Sequence, residues 1–220
     1  MTRRVWPVLV ATIAGLAILC SLGLWQVQRL GQKQALIAAL QARMNDKPIA
    51  LADALKRVSA GEDVEYLKVT ADGALDLSHI LKKQSSFKGM PAWEAIAPFK
   101  AVDGSTVLVD LGVATAEPAP IVQLVGVLRL HNKGKGFFDN DNNATTNEWF
   151  WWDVAAMQKA AGFSGPLVVV QSLQSGPGFE ATEPKVELAN NHLGYAITWF
   201  GLALALVGVS GVFMVRKPDA

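Results

Sequence analysis

The sequence predicts a membrane protein: two transmembrane helices flanking one α+β domain with a small antiparallel sheet that could close as a barrel. Three observations carry this. Residues 5–27 and 193–215 contain no Asp, Glu, Lys or Arg. Each run exceeds the ~20 residues needed to cross a ~30 Å hydrocarbon core at ~1.5 Å per residue. Charged residues make up only 18% of the chain, below the ~25% of ordinary soluble domains, and the deficit lies in those two runs. The segment between them holds nearly all the charge and several short β-like runs beside turn formers, with length enough for one core.

The first run follows Arg3 and Arg4, which is also how a secretory signal begins. Ser21-Leu22-Gly23 is a poor cleavage site, and Leu19 before Cys20 is too bulky for a lipoprotein site. The run is long, and Trp25 near its end suits a membrane interface. An uncleaved anchor over residues 5–27 is therefore expected. Arg3 and Arg4 flank one span and Arg216 and Lys217 the other, while Arg29 and Lys33 lie on the loop side. This balance favours both termini in the cytoplasm and the middle domain in the periplasm or an intermembrane space. No Arg/Ser-rich transit segment precedes the anchor, which favours a bacterial inner membrane.

Beyond Trp25, Val27, Leu30, Ile37, Leu40 and Met44 keep near-helical spacing, with no proline until Pro48. The helix is predicted to run to about Met44. The external domain is expected over residues 45–189. It opens with an amphipathic helix presenting Leu51, Ala54, Leu55 and Val58, ended by Ser59-Ala60-Gly61. Strands are predicted over residues 64–70, 73–77, 93–100, 105–113, 121–130 and 166–173. Asp103-Gly104 marks a hairpin. Lys133 to Asn147 is polar and rich in Gly and Asn, hence a loop. Asp153 is placed to cap a helix over Val154–Ala161 that Gly162 stops. Residues 174–189 read as an extended linker to the second span, residues 193–215.

The chemistry is sparse. No phosphate-binding loop, nucleophile elbow, dinucleotide fingerprint or His-Glu-x-x-His is present. The single cysteine, Cys20, lies in the first apolar run, which excludes a thiol redox site or zinc ribbon. With a net charge of +1 and no basic tract, nucleic acid is not an expected partner. Asp139-x-Asp141-x-Asn143 opens like a calcium loop, but Ala144 and Phe150 stand where glycine and glutamate belong. No nucleophile–base pair emerges in the external domain, so an enzyme is not expected.

Of the three histidines, His79 and His131 suggest no shared metal site. His192 differs, because it stands at the mouth of the second span. Tyr195 and Trp199 follow at +3 and +7, on the same helix face. Two readings stay open on the residues alone. One is an interfacial aromatic belt, with Asn190 or Asn191 capping the helix. The other is a pocket for a flat apolar molecule with an axial imidazole. At the end of the first span, Trp25 and Arg29 are i,i+4 neighbours. Arg29 is suited either to lipid headgroups or to a cofactor's acid groups.

Gly23-x-Trp25-Gln26-x-x-Arg29, together with Asn190-Asn191-His192-Leu193-x-Tyr195-Ala196-x-Thr198-Trp199-Phe200, resembles the Surfeit locus protein 1 family. In between, Pro98-Phe99, the Asp-Gly hairpin, Val107-Leu108-Val109 and Trp151-x-Asp153 fit the family's order. Asp110-Leu111-Gly112-Val113 departs from it, standing where the family usually reads Asn-Arg-Gly-Trp. The aromatic usually found shortly after the motif's arginine is missing near Gly31 and Gln32. The resemblance implies an assembly factor for haem-copper cytochrome c oxidase, handling haem a for subunit I, with a haem A synthase as a further possible partner. It also implies that His192 is the iron ligand. Tyr195, Trp199, Trp25 and Arg29 are then the candidate residues around the haem. The competing expectations are a cofactor-free assembly scaffold and a membrane-tethered sensor domain.

Overall fold

The computed structural model describes the backbone of residues 2–131, 134–186 and 188–215, with side chains from Trp6 onward. Arg216 and Lys217, expected to flank the second span, and Lys133, expected to open the polar loop, lie outside the described residues. The chain divides into two compact units: Met1–Ala39 with Glu187–Ala220, and Leu40–Val186.

The first unit is built on two long helices, α1 (Thr2–Asn45) and α4 (His192–Val215). Both are long and apolar enough to cross a membrane. Small and polar residues line the seam between them. Ala196, Ala203 and Ser210 recur every seven residues on α4 and are buried. A Cβ on Gly15 would lie 2.8 Å from Leu206, and one on Gly23 would lie 2.7 Å from the Phe200 ring. Glycine at these points is what lets the neighbouring side chains come so near, as in other apolar helix pairs. The Thr12 and Ser210 hydroxyls meet at 2.8 Å across the same seam.

The second unit is a mixed sheet with two short helices. Its strands are β1 (Ile49–Ala50), β2 (Lys68–Leu75), β3 (Leu81–Phe87), β4 (Met90–Ala101), β5 (Thr106–Ala114), β6 (Gln123–Arg129), β7 (Glu148–Trp149), β8 (Val169–Ser172) and β9 (Phe179–Glu180). The helices are α2 (Leu51–Ser59) and α3 (Val154–Ala160). The strand order is β1-β2-β6-β8-β5-β4-β3-β7, with β9 on β5, and β2 also pairs with β4. That extra pairing closes a circuit of strands through β2, β6, β8, β5 and β4.

The expectation of a small antiparallel sheet is corrected in kind and size. β1–β2, β3–β7 and β5–β8 are parallel, and the sheet has nine strands. Alternation of apolar residues shows that a segment is a strand but not which way its neighbour runs. The two runs expected at 64–70 and 73–77 form one strand, β2, and residues 64–67 stay outside it. Tyr66 there adopts a positive φ of 61°, which no strand continues through. β3 was not expected at all, because its residues, Leu-Lys-Lys-Gln-Ser-Ser-Phe, are mostly polar. The expected linker at 174–189 contains β9, which pairs Glu180 with Val113 and Phe179 with Ala114.

Two apolar cores lie on opposite faces of the central strands. On β5, Val107, Val109 and Leu111 enter the larger core with Phe99, Leu124 and Val170, and α2 adds Leu51, Ala54 and Leu55. Leu108 points the other way, to a smaller core with Ile96, Trp149 and Val169 beneath Val154 and Met157 of α3. Asp153 caps α3 by accepting from the Ala156 N–H at 3.0 Å. The α3 helix ends at Ala160, and Gly162 follows with φ of 76°. The Asp103-Gly104 hairpin forms as expected, with the Asp103 carboxylate accepting from the Ser105 N–H and hydroxyl.

Candidate functional site

His192 is the first residue of α4. Its side chain is half-buried, and its Nδ1 lies 2.7 Å from Oε1 of Gln26 on α1. Gln26 is 8% exposed, so this bond is made largely out of solvent. A carbonyl oxygen only accepts, so Nδ1 is the donor of this bond, and the bond directs Nε2 away from Gln26. Among the described residues no protein group hydrogen-bonds to Nε2. An imidazole held at one nitrogen by an acceptor, with the other nitrogen uncommitted, is the usual arrangement of a metal-ligating histidine.

The sequence motif contains Gln26, but reading it residue by residue singled out Trp25 and Arg29 instead. The heptad-like seam explains the difference. Gly23 and Gln26 are buried residues of α1, whereas Trp25 is 51% exposed. Arg29 is also exposed and donates to Gln32 Oε1 at 2.9 Å along its own helix. Among the described residues, no hydrogen bond or ion pair joins Arg29 to His192. On α4, Tyr195 is 56% exposed and Trp199 is partly buried. Both remain on the helix face that begins at His192. Asn191 starts the helix by its backbone, its carbonyl accepting from the Tyr195 N–H at 3.3 Å. Among the described residues, neither Asn190 nor Asn191 makes a side-chain capping bond, and the buried Asn190 Oδ1 meets no hydrogen-bond donor.

The other histidines serve the sheet unit. His79 pairs with Asp76 at 3.0 Å. The Ser78 hydroxyl and then His79 hold the Asp76 carboxyl below its ordinary range. His131 stacks on Trp152 with centroids 4.0 Å apart. Among the described residues, no group of three or more His, Cys, Asp or Glu is placed to hold a metal. The calcium-like run is committed to its own loop. Asp139 accepts from the Gly136 N–H, Asp141 pairs with Lys135, and Asn143 accepts from Thr145 and Thr146.

A second polar group, seen in the sequence only as part of a departure from the family's pattern, is buried in the sheet unit. Asp110 sits mid-β5, only 5% exposed, and accepts from the Gly112 N–H at 2.9 Å. Burial first, and the Glu94 carboxylate second, push its carboxyl up to about 7. Glu94 is paired with Lys83 at 2.9 Å and accepts from the Ser85 hydroxyl. Arg129 binds Glu65 at 3.0 Å and Gln171 at 2.8 Å. The available signal was an aspartate inside the apolar run Val107-Leu108-Val109-Asp110-Leu111.

Fold and site together define a class: a mixed-sheet unit between two long apolar helices, with an imidazole oriented from the partner helix. Comparison with known proteins makes the assignment specific. Residues 13–204 match the SURF1 family model. Surfeit locus protein 1 of Xenopus tropicalis is 30% identical over 90% of this chain and 72% of its own length. The Homo sapiens protein of that name is 31% identical over 84% of this chain and 70% of its own length. A SURF1-like protein of Rickettsia conorii is 24% identical over 90% of this chain and 88% of its own. The chain belongs to the SURF1 family.

Proposed function

We propose that this chain is an assembly factor for haem-copper cytochrome c oxidase. In this reading it works in a bacterial inner membrane with both termini cytoplasmic and the sheet unit periplasmic. It holds haem a, as cargo for subunit I, at the mouth of α4. The observation that carries the reading is the His192–Gln26 bond. It orients the imidazole and leaves Nε2 without a hydrogen bond among the described residues, so His192 would be the residue to hold the haem iron. The iron, when the haem is bound, supplies the Lewis acid that Nε2 meets. Gln26 holds the proton on Nδ1 and fixes the ring's direction. Tyr195 and Trp199 offer aromatic surface for a flat macrocycle, and Trp25 and Arg29 offer an aromatic face and a cation for its acid groups. A single accessible nitrogen also suits a carrier that must release what it holds.

One observation favours a cofactor-free scaffold instead. The same His192–Gln26 bond, with the Thr12–Ser210 contact, also serves to lock α1 to α4. A difference spectrum separates the two readings. The protein is purified from membranes of cells that make haem a, beside His192→Ala and Gln26→Ala variants expressed equally. Haem handling predicts a haem a band in the parent that is lost in H192A and shifted or weakened in Q26A. No band in any of the three leaves the scaffold reading, in which the motifs at α1 and α4 grip protein.

A further inference from the structure

Beside the smaller core, side chains from five neighbouring strands form one polar row across the sheet. Leu108 of β5 and Val169 of β8 are register partners inside that core. Two residues on, and so on the same face, Asp110 and Gln171 are register partners too, their strands about 5 Å apart. Gln171 Oε1 accepts from Arg129 of β6 at 2.8 Å, and Arg129 also donates to Glu65 at 3.0 Å. On the other side of Asp110, Lys83 of β3 donates to Glu94 of β4 at 2.9 Å. Asp110 and Gln171 are only 5% and 8% exposed. The two cations and the two carboxylates around them cancel, so the row is balanced while Asp110 carries its proton. An ionised Asp110 adds one uncompensated negative charge among buried groups.

A strap crosses this row. It is the chain that follows β9, residues 181–186. It passes so near Gly112 that a Cβ there would lie 2.8 Å from the Ala181 Cα and 2.9 Å from the Thr182 nitrogen. The Gly112 N–H is the donor to Asp110 Oδ1. Gln171 ties the strap down from beneath: its Nε2 donates to the Thr182 carbonyl at 3.1 Å and to the Thr182 hydroxyl at 3.2 Å. The neutral amide beside Asp110 therefore commits its donor to the strap. Among the described residues, Asp110 Oδ2 makes no hydrogen bond.

We propose that Asp110 and Gln171 form a proton-operated latch on the strap: Gln171 holds Thr182 while Asp110 is protonated, and turns its Nε2 to the carboxylate and lets Thr182 go when Asp110 ionises, the proton passing to water. A hydrogen bond to an ionised group is roughly twice as strong as one between neutral groups, and a buried carboxylate left without donors is costly. Gln171 is the donor able to answer. Lys83 is committed to Glu94 and Arg129 to Glu65, and the Arg129 guanidinium also lies 4.5 Å from the centre of the Tyr66 ring. The charged groups acting on Asp110 are Glu94, Lys83 and Arg129, and α3 and the strap add none. Burial first, and Glu94 second, set the carboxyl at about 7, so the latch operates near neutral pH. Thr182 stands ten residues before His192 in the chain, so the latch controls slack in the connection to α4.

The test uses the full chain in detergent micelles, with Cys20→Ala as background. A nitroxide is attached at Glu183→Cys, an exposed strap position, and separately at Val102→Cys on the β4–β5 hairpin as a control. Line shapes are recorded roughly two pH units below and two above the Asp110 value of about 7. The proposal expects the mobile fraction at position 183 to rise several-fold from the lower pH to the higher, with position 102 unchanged. In Asp110→Asn the strap stays restrained at both values. In Gln171→Met, which keeps the side chain's length and removes its donor, the strap is mobile at both. Equal mobility of the parent at the two values overturns the proposal. So does a rise at position 102 as well, because the whole sheet unit is then loosening. An Asp110→Asn variant that follows the parent overturns it, because another group then titrates. A restrained strap in Gln171→Met at the lower pH overturns it too, because Thr182 is then held by something else. Where Gln171→Met does not fold, the parent and Asp110→Asn decide between these outcomes by themselves.

Discussion

At the level of single residues, His192 is held by Gln26 in the helix pair, and Asp110 is buried in the sheet unit with the Gly112 N–H as its donor. His192 stands out because an imidazole at the edge of an uncharged run is costly unless partnered. Gln26, its partner, was hidden, since nothing in a linear reading says that residues 166 positions apart meet. Asp110 is the reverse case: visible in an apolar run, but with a consequence only the fold supplies. Its carboxyl stands at about 7 in the folded chain against an ordinary 3.8, raised chiefly by burial and then by Glu94. The charged groups acting on it are Glu94 on the adjacent β4 and, one strand further away on either side, Lys83 on β3 and Arg129 on β6, and the last two act in the opposite direction. The folded state therefore keeps a proton that the unfolded state releases between these values. The stabilising contribution is complete below pH 3.8 and is lost as pH rises through about 7. Asp110→Asn keeps an oxygen for the Gly112 N–H and removes the titration. Its stability should match the parent near pH 4 and exceed it above pH 7 by on the order of a few kcal/mol. Melting curves of both proteins across that range check this, and parallel curves would show that Asp110 ionises without cost.

At the level of elements, the sequence marked those whose periodicity is driven by apolar burial. The helix α2 and the strands β4, β5, β6 and β8 follow from it, whereas the two long helices follow from uncharged apolar runs, and α3 and the hairpin from their cap and turn residues. β3 did not, because Lys83 and Ser85 face Glu94 rather than an apolar core. β9 did not, because two residues carry no period. It packs where Gly112, with φ of 91°, leaves room: a Cβ there would run into the Glu180 carbonyl oxygen. The seam of α1 and α4 depends on small residues in the same way. The Phe200 ring occupies the space where a Gly23 side chain would begin. Gly23→Leu should force the helices apart and break the His192–Gln26 bond, although both residues remain. If the chain holds haem a as proposed, the expected result is a haem a band as depleted as in His192→Ala, with the strand signal in circular dichroism unchanged. A normal band would show that the close approach is not needed to orient the imidazole.

At the level of the whole molecule, the plan of two apolar helices around one sheet-bearing segment was legible because it rests on charge and hydropathy alone. The topology was not. A nine-stranded sheet with three parallel pairings, five of its strands in a circuit, depends on contacts between distant segments, such as β5 with β8, where Val109 pairs with Val170. No local pattern encodes them. The two units have separate interiors: small residues and hydroxyls along the helix seam, branched aliphatic and aromatic residues in the sheet unit. Effects on separate interiors should add. Gly112→Ala meets both a left-handed backbone and the Glu180 carbonyl, and should destabilise the sheet unit by roughly 2 kcal/mol or more. Gly23→Leu should act on the seam alone. In a double variant, the loss of melting temperature should equal that of G112A and the loss of haem band should equal that of G23L, each within error. An extra loss in either readout would mean that the sheet unit helps to hold the imidazole site. On the proposed haem-handling reading, the Asp110 titration would then become a means by which local pH reaches the imidazole site.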